Sequence, residues 1–170
     1  MYRAIYKART PDLSNRVFDD EVLDVSGHRD CADVTVAPAQ KVVNGAPPKK
    51  ARENGQMKYL WLVNVDSVLG ALEEGEAGLS TTRRRLAHTN LSGGSAAHAG
   101  GELWYRSDSE VWLSGGSGRY PPGSEDELNA IVESFRKSGY SVCSCGWDKE
   151  NVVPARFFRG QETWLKAHEE

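Results

Sequence analysis

Seven of the chain's 17 glycines fall within 26 residues, from Gly93 to Gly118. They stand as Gly93-Gly94, Gly100-Gly101, and Gly115-Gly116 with Gly118, each group beside a segment that reads as a strand. Glycine permits positive φ and lets another group approach the backbone closely, so paired glycines mark tight turns or close contacts. The clustering excludes a collagen-like chain, in which glycine recurs at every third position. Five Trp, six Tyr and four Phe exclude a disordered one, because they supply large side chains to bury.

The elements around this window follow from periodicity. Tyr59–Val65 is a continuous apolar run, as expected of a central strand covered on both faces. Strands are also expected at Tyr2–Ala8, Arg16–Val25, Arg84–Leu91, Glu102–Arg106 and Glu110–Leu113, the last two joined as a hairpin by Ser107-Asp108-Ser109. Asp66 is placed to cap a short helix over Ser67–Glu74, with Gly75 as its stop. A longer helix over about 124–138 opens on Ser124 and Glu127 as a capping box, with Glu125 and Asp126 where the helix dipole favours anions. Leu128, Ile131, Val132 and Phe135 then share one face, Gly139 ends the helix, and Tyr140–Cys145 returns as a strand. The expected fold is α+β: a mixed, mainly antiparallel sheet with one well-capped helix and one or two short ones. The 170 residues fit a single domain, with residues 44–57 (two turn dipeptides, a Pro pair and a basic cluster at Lys49-Lys50) as an exposed loop or linker inside it.

Charge and cysteine content narrow the function classes. Twenty-one Lys and Arg against 24 Asp and Glu give a net charge of -3, which disfavours non-specific nucleic-acid binding. No apolar run approaches the ~20 residues of a membrane-spanning helix, so no membrane partner is expected. The N-terminus lacks the apolar core of a signal peptide. Three cysteines form no disulfide framework, which makes the cytoplasm the expected compartment. Cys143-Ser144-Cys145 reads as small core residues, no metal-ligand spacing appears, and no metal site is expected. Arg83-Arg84-Arg85 reads as the solvated edge of a strand, with a phosphate contact as its secondary role.

The glycine window also carries the candidate site. If its loops converge, they bring together His88, Thr89, Asn90, Gly93, Gly94, Gly100, Gly101, Glu102, Ser117, Gly118, Arg119 and Tyr120. His88 suits proton transfer or hydrogen bonding, Glu102 contributes charge, Arg119 suits an anion and Tyr120 suits stacking on a ring, which makes His88, Glu102 and Tyr120 the catalytic candidates. The alternative, still open at this level, is that the glycines only make turns. No glycine group matches a Walker A sequence or a dinucleotide fingerprint in its strand-to-helix setting. No cofactor is therefore fixed, and NAD or another nucleotide is the candidate ligand.

The run His88-Thr89-Asn90-Leu91-Ser92-Gly93-Gly94, then Ala99-Gly100-Gly101-Glu102, then Ser117-Gly118-Arg119-Tyr120-Pro121-Pro122 resembles a domain of plant IQ-motif calmodulin-binding proteins and of the C-terminal parts of bacterial toxin-like proteins. That domain has His where this chain has Arg119, and the chain has no IQ motif, so the resemblance implies a shared site and not calmodulin binding. In layout, His88 followed by Tyr120 just before a helix is similar to ADP-ribosyltransferases. There a His holds the ribose of NAD, a Tyr packs on nicotinamide and a Glu polarises the acceptor. Glu150, Glu162 and Glu102 are the candidates here for the third role, Glu102 being out of order. Two functions follow as expectations. One is a ligand-binding, enzyme-like domain for a nucleotide or NAD-type molecule, with ADP-ribosyl or glycosyl transfer as its most specific form. The other is a non-catalytic protein-interaction module such as an inhibitor, an immunity factor or a phage-encoded antagonist of a host system.

Overall fold

The structure, a computed structural model, describes residues 2–35, 57–156 and the two-residue strand at 164–165. The loop expected over 44–57 lies outside the described residues except for Met57. In chain order the elements are α1 (Tyr2–Ile5), a 3-10 turn (Asp19–Val22), β1 (Cys31–Asp33), β2 (Tyr59–Val63), β3 (Val68–Leu72), α2 (Glu76–Leu79), α3 (His88–Ser92), β4 (Ala99–Tyr105), β5 (Glu110–Ser114), α4 (Glu125–Lys137), β6 (Ser141–Ser144), β7 (Trp147–Asp148), β8 (Val153–Pro154) and β9 (Trp164–Leu165).

Seven of the strands form one sheet in the order β1-β3-β2-β4-β5-β6-β9, and β7 pairs with β8 in a separate hairpin. Every neighbouring pair in the sheet is antiparallel except β5 and β6. Those two are parallel because α4 carries the chain back between them, as a parallel pair requires. The fold is α+β with a mainly antiparallel sheet, as its sequence pattern implies.

Alternation along each strand divides the sheet into two unlike faces. Ser124 caps α4 by accepting from the Glu127 amide at 3.1 Å. The helix lays Leu128, Ile131, Val132 and Phe135 on one face of the sheet, against Trp61, Leu103, Val111 and Val142. Each of those four helix side chains is buried, a contribution of about 2 kcal/mol apiece. The opposite face carries Leu60, Leu62 and Ala71, packed with Leu91 of α3. Further along the same face lies a separate cluster of Trp104, Trp112 and Cys143. Between the two clusters the strands present Lys58, Glu102 and Ser114, and this polar gap positions the site.

Four expected elements are different in the structure. Residues expected as a strand at Tyr2–Ala8 form α1, because Tyr2 and Tyr6 stack at helical spacing, 4.9 Å apart, and Tyr2 donates to Glu127 of α4 at 2.7 Å. Arg16–Val25 forms the 3-10 turn and not a strand, since the carbonyls of Asp20 and Leu23 accept from the Asn90 side chain at 2.8 and 2.9 Å. The helix expected over Ser67–Glu74 is strand β3: Asp66 lies in the hairpin turn that returns from β2, closed by Asn64 N–H on the Ser67 carbonyl. Gly70 lets that strand sit under Val34, whose Cγ1 would lie 2.2 Å from a Cβ there. The strand expected over Arg84–Leu91 is a turn followed by α3, because Arg84 takes φ 57° and the Asn90 carboxamide accepts from Ala87 N–H at 2.9 Å.

Of the glycine pairs, Gly115-Gly116 stands at a strand end, directly after β5, and the other two do not. Gly93 ends α3 in the left-handed conformation, whereas Gly100 and Gly101 lie within β4. A Cβ on Gly101 would come within 2.0 Å of the Ser114 carbonyl and 2.5 Å of the Trp61 ring. Trp61 uses that space to donate its indole N–H to the carbonyls of Glu102 (3.1 Å) and Ser114 (3.2 Å). Gly101→Ala is therefore expected to destabilise the fold by about 3 kcal/mol or more, read as a lower urea midpoint; a loss below about 1 kcal/mol would show that Trp61 can move aside.

Candidate functional site

The polar gap opens into a cavity of about 540 Å³. His88, Glu102, Gly118 and Arg119 line it, together with Lys58 and Glu73 at adjoining ends of β2 and β3. Arg83 and Arg85 from the turn before α3, and Arg156 after β8, complete its charged wall.

His88 opens α3 and lies against the bare backbone of β4. A Cβ on Gly100 would come within 2.8 Å of its ring, so the missing side chain admits the imidazole. Nε2 is 2.8 Å from the Gly101 carbonyl. A carbonyl only accepts, so Nε2 carries the proton and Nδ1 holds a lone pair. Burial pushes the His88 pKa down to about 4, against a smaller upward push from the Gly101 hydrogen bond. Near neutrality His88 is an uncharged hydrogen-bonding group.

Lys58 holds the two acids of the site. Its ammonium lies 2.9 Å from Glu73 Oε2 and 3.0 Å from Glu102 Oε1, with all three side chains largely buried. Glu102 Oε2 also stands 3.5 Å from the Ser114 hydroxyl. Burying such a triad costs desolvation that its attraction only partly offsets, so it is poorly explained by stability alone.

Arg119 lines the cavity with its charge already satisfied. Its Nε pairs with Glu21 at 2.6 Å, and Nη1 donates to Asn15 Oδ1 at 2.6 Å and to the Asp12 carbonyl. It ties the N-terminal segment across the cavity rim. Arg83, Arg85 and Arg156 differ: among the described residues no hydrogen bond or ion pair engages their guanidinium groups. Arg156 lies close to the acids, since a Cβ on Gly116 would meet its Cγ and Glu102 Oε2, each at 3.2 Å. Glu21 balances Arg119, and Lys58 offsets one of its two carboxylates, so the three arginines outweigh the remaining negative charge and leave the lining net positive.

The other sequence candidates build the walls. Tyr120 does not line the cavity; its ring is in the core with Leu91, and its hydroxyl lies 2.7 Å from Ser92 Oγ and donates to the Ser95 carbonyl at 2.8 Å. Asn90 spends its carboxamide on the backbone of residues 20, 23 and 87. Thr89 is fully buried, with its hydroxyl unpartnered. Gly93 and Gly94 hold positive φ at the end of α3, packed on Asp24 and Val22. Ser117 Oγ accepts from the amides of Arg119 (3.3 Å) and Tyr120 (3.0 Å), which shapes the loop. His88, Glu102, Gly118 and Arg119 thus converge, while Tyr120, Thr89, Asn90, Gly93 and Gly94 support them.

Lys58, Glu73 and Arg156 line the cavity without belonging to any sequence motif. Their signal was charge directly beside buried strands, where a lysine or glutamate needs a partner. Of the other acids considered for a transferase role, Glu150 is exposed in the β7–β8 turn and Glu162 lies outside the described residues. Burial raises the Cys31 thiol to about 11 and the Cys145 thiol to about 12, which keeps these two protonated near neutrality. No helix among the described residues is long and apolar enough to cross a membrane.

Two measurements test this account. The unfolded chain binds a proton at His88 near pH 6.5 and the folded chain only near 4, so stability from this group is complete above pH 6.5 and lost as pH falls toward 4. Between pH 7 and pH 4.5 the wild type should lose about 2.5 kcal/mol more than His88→Gln in urea unfolding; equal losses would contradict a depressed pKa. Tyr120→Phe removes the hydroxyl from the half-buried Ser92 and the carbonyl of the exposed Ser95 and should cost about 1 kcal/mol by the same assay. An unchanged midpoint would mean that the Ser92 and Ser95 contacts are dispensable.

No protein-family model, curated protein or solved structure matches the chain.

Proposed function

We propose that this chain is a ligand-binding domain whose cavity takes a small phosphate-bearing molecule, with a nucleotide or NAD-type ligand as its most specific form. The observation that carries this reading is the set of three arginines that line the cavity, Arg83, Arg85 and Arg156, whose guanidinium groups no hydrogen bond or ion pair engages among the described residues. Guanidinium groups match phosphate oxygens through paired N–H donors, and partial burial strengthens the attraction. Beside them the neutral His88 offers a lone pair at Nδ1, and Glu73 and Glu102 share one ammonium, leaving oxygens to accept from ligand hydroxyls. A molecule with phosphate at one end and sugar hydroxyls next to it fits that inventory. In the enzymatic form of the reading, ADP-ribosyl or glycosyl transfer, Glu102 is the carboxylate that shares the cavity with His88.

Isothermal titration with ADP-ribose, NAD and ADP tests the proposal. Arg83→Ala, Arg85→Ala and Arg156→Ala should each weaken binding about tenfold, as expected for one charge-assisted hydrogen bond, and added salt should weaken the wild type. Arg84→Gly is the control: Arg84 is exposed and lines no part of the cavity, so affinity should hold. Release of nicotinamide from NAD reads the transfer reaction in the same samples. Absence of binding by all three ligands would overturn the reading.

A further inference from the structure

A second cavity of about 360 Å³ adjoins the first, and the two share Gly116 and Arg156. Its character is different. Pro121, Val153, Pro154 and Ala155 form its walls, and Arg156 at the junction is its only cation. The walls are stiff: Pro154 is pinned in the β7–β8 hairpin opposite Trp147, and a Cβ on Gly115 would lie 2.7 Å from the Pro154 ring and 3.0 Å from Pro122. Ser117, which is buried, and Asp148 supply its polar edges. The Ser117 oxygen accepts two backbone amides, so its hydroxyl proton is the donor left over.

The hairpin that forms the outer wall holds an unfavourable backbone. Val152 has φ 56°, a conformation that costs a β-branched residue about 1–2 kcal/mol. Asp148 at the foot of the hairpin fastens the turn by accepting from the amides of Glu150 and Asn151, each at 3.1 Å. The strain sits next to Val153, which lines the cavity while remaining 46% exposed. Non-glycine strain of this kind is retained where the surrounding structure imposes it, and such places cluster at binding sites.

We propose that the second cavity is the subsite for the uncharged ring of the same ligand, so that a nucleoside phosphate spans both cavities with its phosphate at Arg156. The cavity has stiff apolar walls with the Ser117 hydroxyl and the Asp148 carboxylate at its edges, which suits a flat heterocycle carrying both a hydrogen-bond acceptor and a donor better than an alkyl chain. This inference rests on the phosphate reading of the first cavity, and the two separate by experiment.

Titration of the full chain with ribose 5-phosphate, AMP, UMP and nicotinamide mononucleotide isolates the ring, because each nucleotide adds only a base to the same sugar phosphate. At least one nucleotide should bind tenfold or more tightly than ribose 5-phosphate. Val153→Asn, a neutral change at a partly exposed position, should reduce that affinity about fivefold and leave ribose 5-phosphate unaffected. Equal binding of ribose 5-phosphate and every nucleotide, or equal weakening of both by Val153→Asn, would overturn the subsite while the phosphate reading stands. If none of the four binds, both proposals fall.

Discussion

The close approach at Gly100 and Gly101 couples the core of this protein to its cavity. The two residues face opposite sides of β4, and each yields its side-chain space to a ring. On the α4 side the indole of Trp61 fills the space beside Gly101, donates to two strand carbonyls, and meets Phe135 edge-on at 6.2 Å. On the other side the imidazole of His88 lies over Gly100 and donates to the Gly101 carbonyl. A strand interior is an unfavourable place for two consecutive glycines, because they lose the most backbone entropy and pack nothing themselves. The compensation is that two large rings are fixed within one residue of each other along the chain. His88 thereby takes its tautomer from the sheet, and any shift of Trp61 reaches it through the same peptide.

The same asymmetry explains why a cavity exists here at all. α4 covers one face of the sheet with four apolar side chains in register. The other face is covered by short elements, the one-turn helices α2 and α3, whose apolar residues reach only Leu60, Leu62 and Ala71. Beyond their reach the strands carry Lys58, Glu102 and Ser114 before the Trp104–Trp112 cluster begins. Apolar residues of similar volume would generally serve stability as well as a buried ammonium between two carboxylates. What the triad supplies instead is fixed oxygen acceptors in a partly dry concavity that three arginines also line, none of them in a hydrogen bond or ion pair among the described residues.

Where one periodicity dominated, the sequence was legible. α4 has its capping serine and its i, i+3, i+4, i+7 stripe, β2 is a run of large apolar residues, and the β4–β5 hairpin pairs about a polar turn. Misreadings arose where tertiary partners decided the matter. Val68–Leu72 has helix-compatible composition, yet Gly70 makes sense only beneath Val34, a contact invisible without β1 in place. His88–Ser92 is too short for a periodic signal, and Asn90 caps its start from within. The site was half legible for a related reason. His88 and Glu102 lie in the glycine window and share the cavity, but Tyr120 looks identical in sequence whether its hydroxyl faces a ligand or, as found, Ser92 and Ser95. Arg119 likewise reads as an anion receptor until Glu21, 98 positions away, is seen to neutralise it.

The distribution of strain bears on the same question independently of charge. Among the described residues only Arg84 and Val152 combine a side chain with positive φ. Arg84 sits between Arg83 and Arg85, and its left-handed conformation turns the chain so that both neighbours line the first cavity while Arg84 itself is exposed. Val152 precedes Val153 and Pro154, which line the second. Glycine or asparagine would relieve either position at little cost elsewhere, so local stability does not explain the residues present. Both strained residues border the two joined cavities, on segments more than 60 residues apart in the chain. Among the described residues, side-chain-bearing backbone strain is thus confined to segments that border the joined cavities.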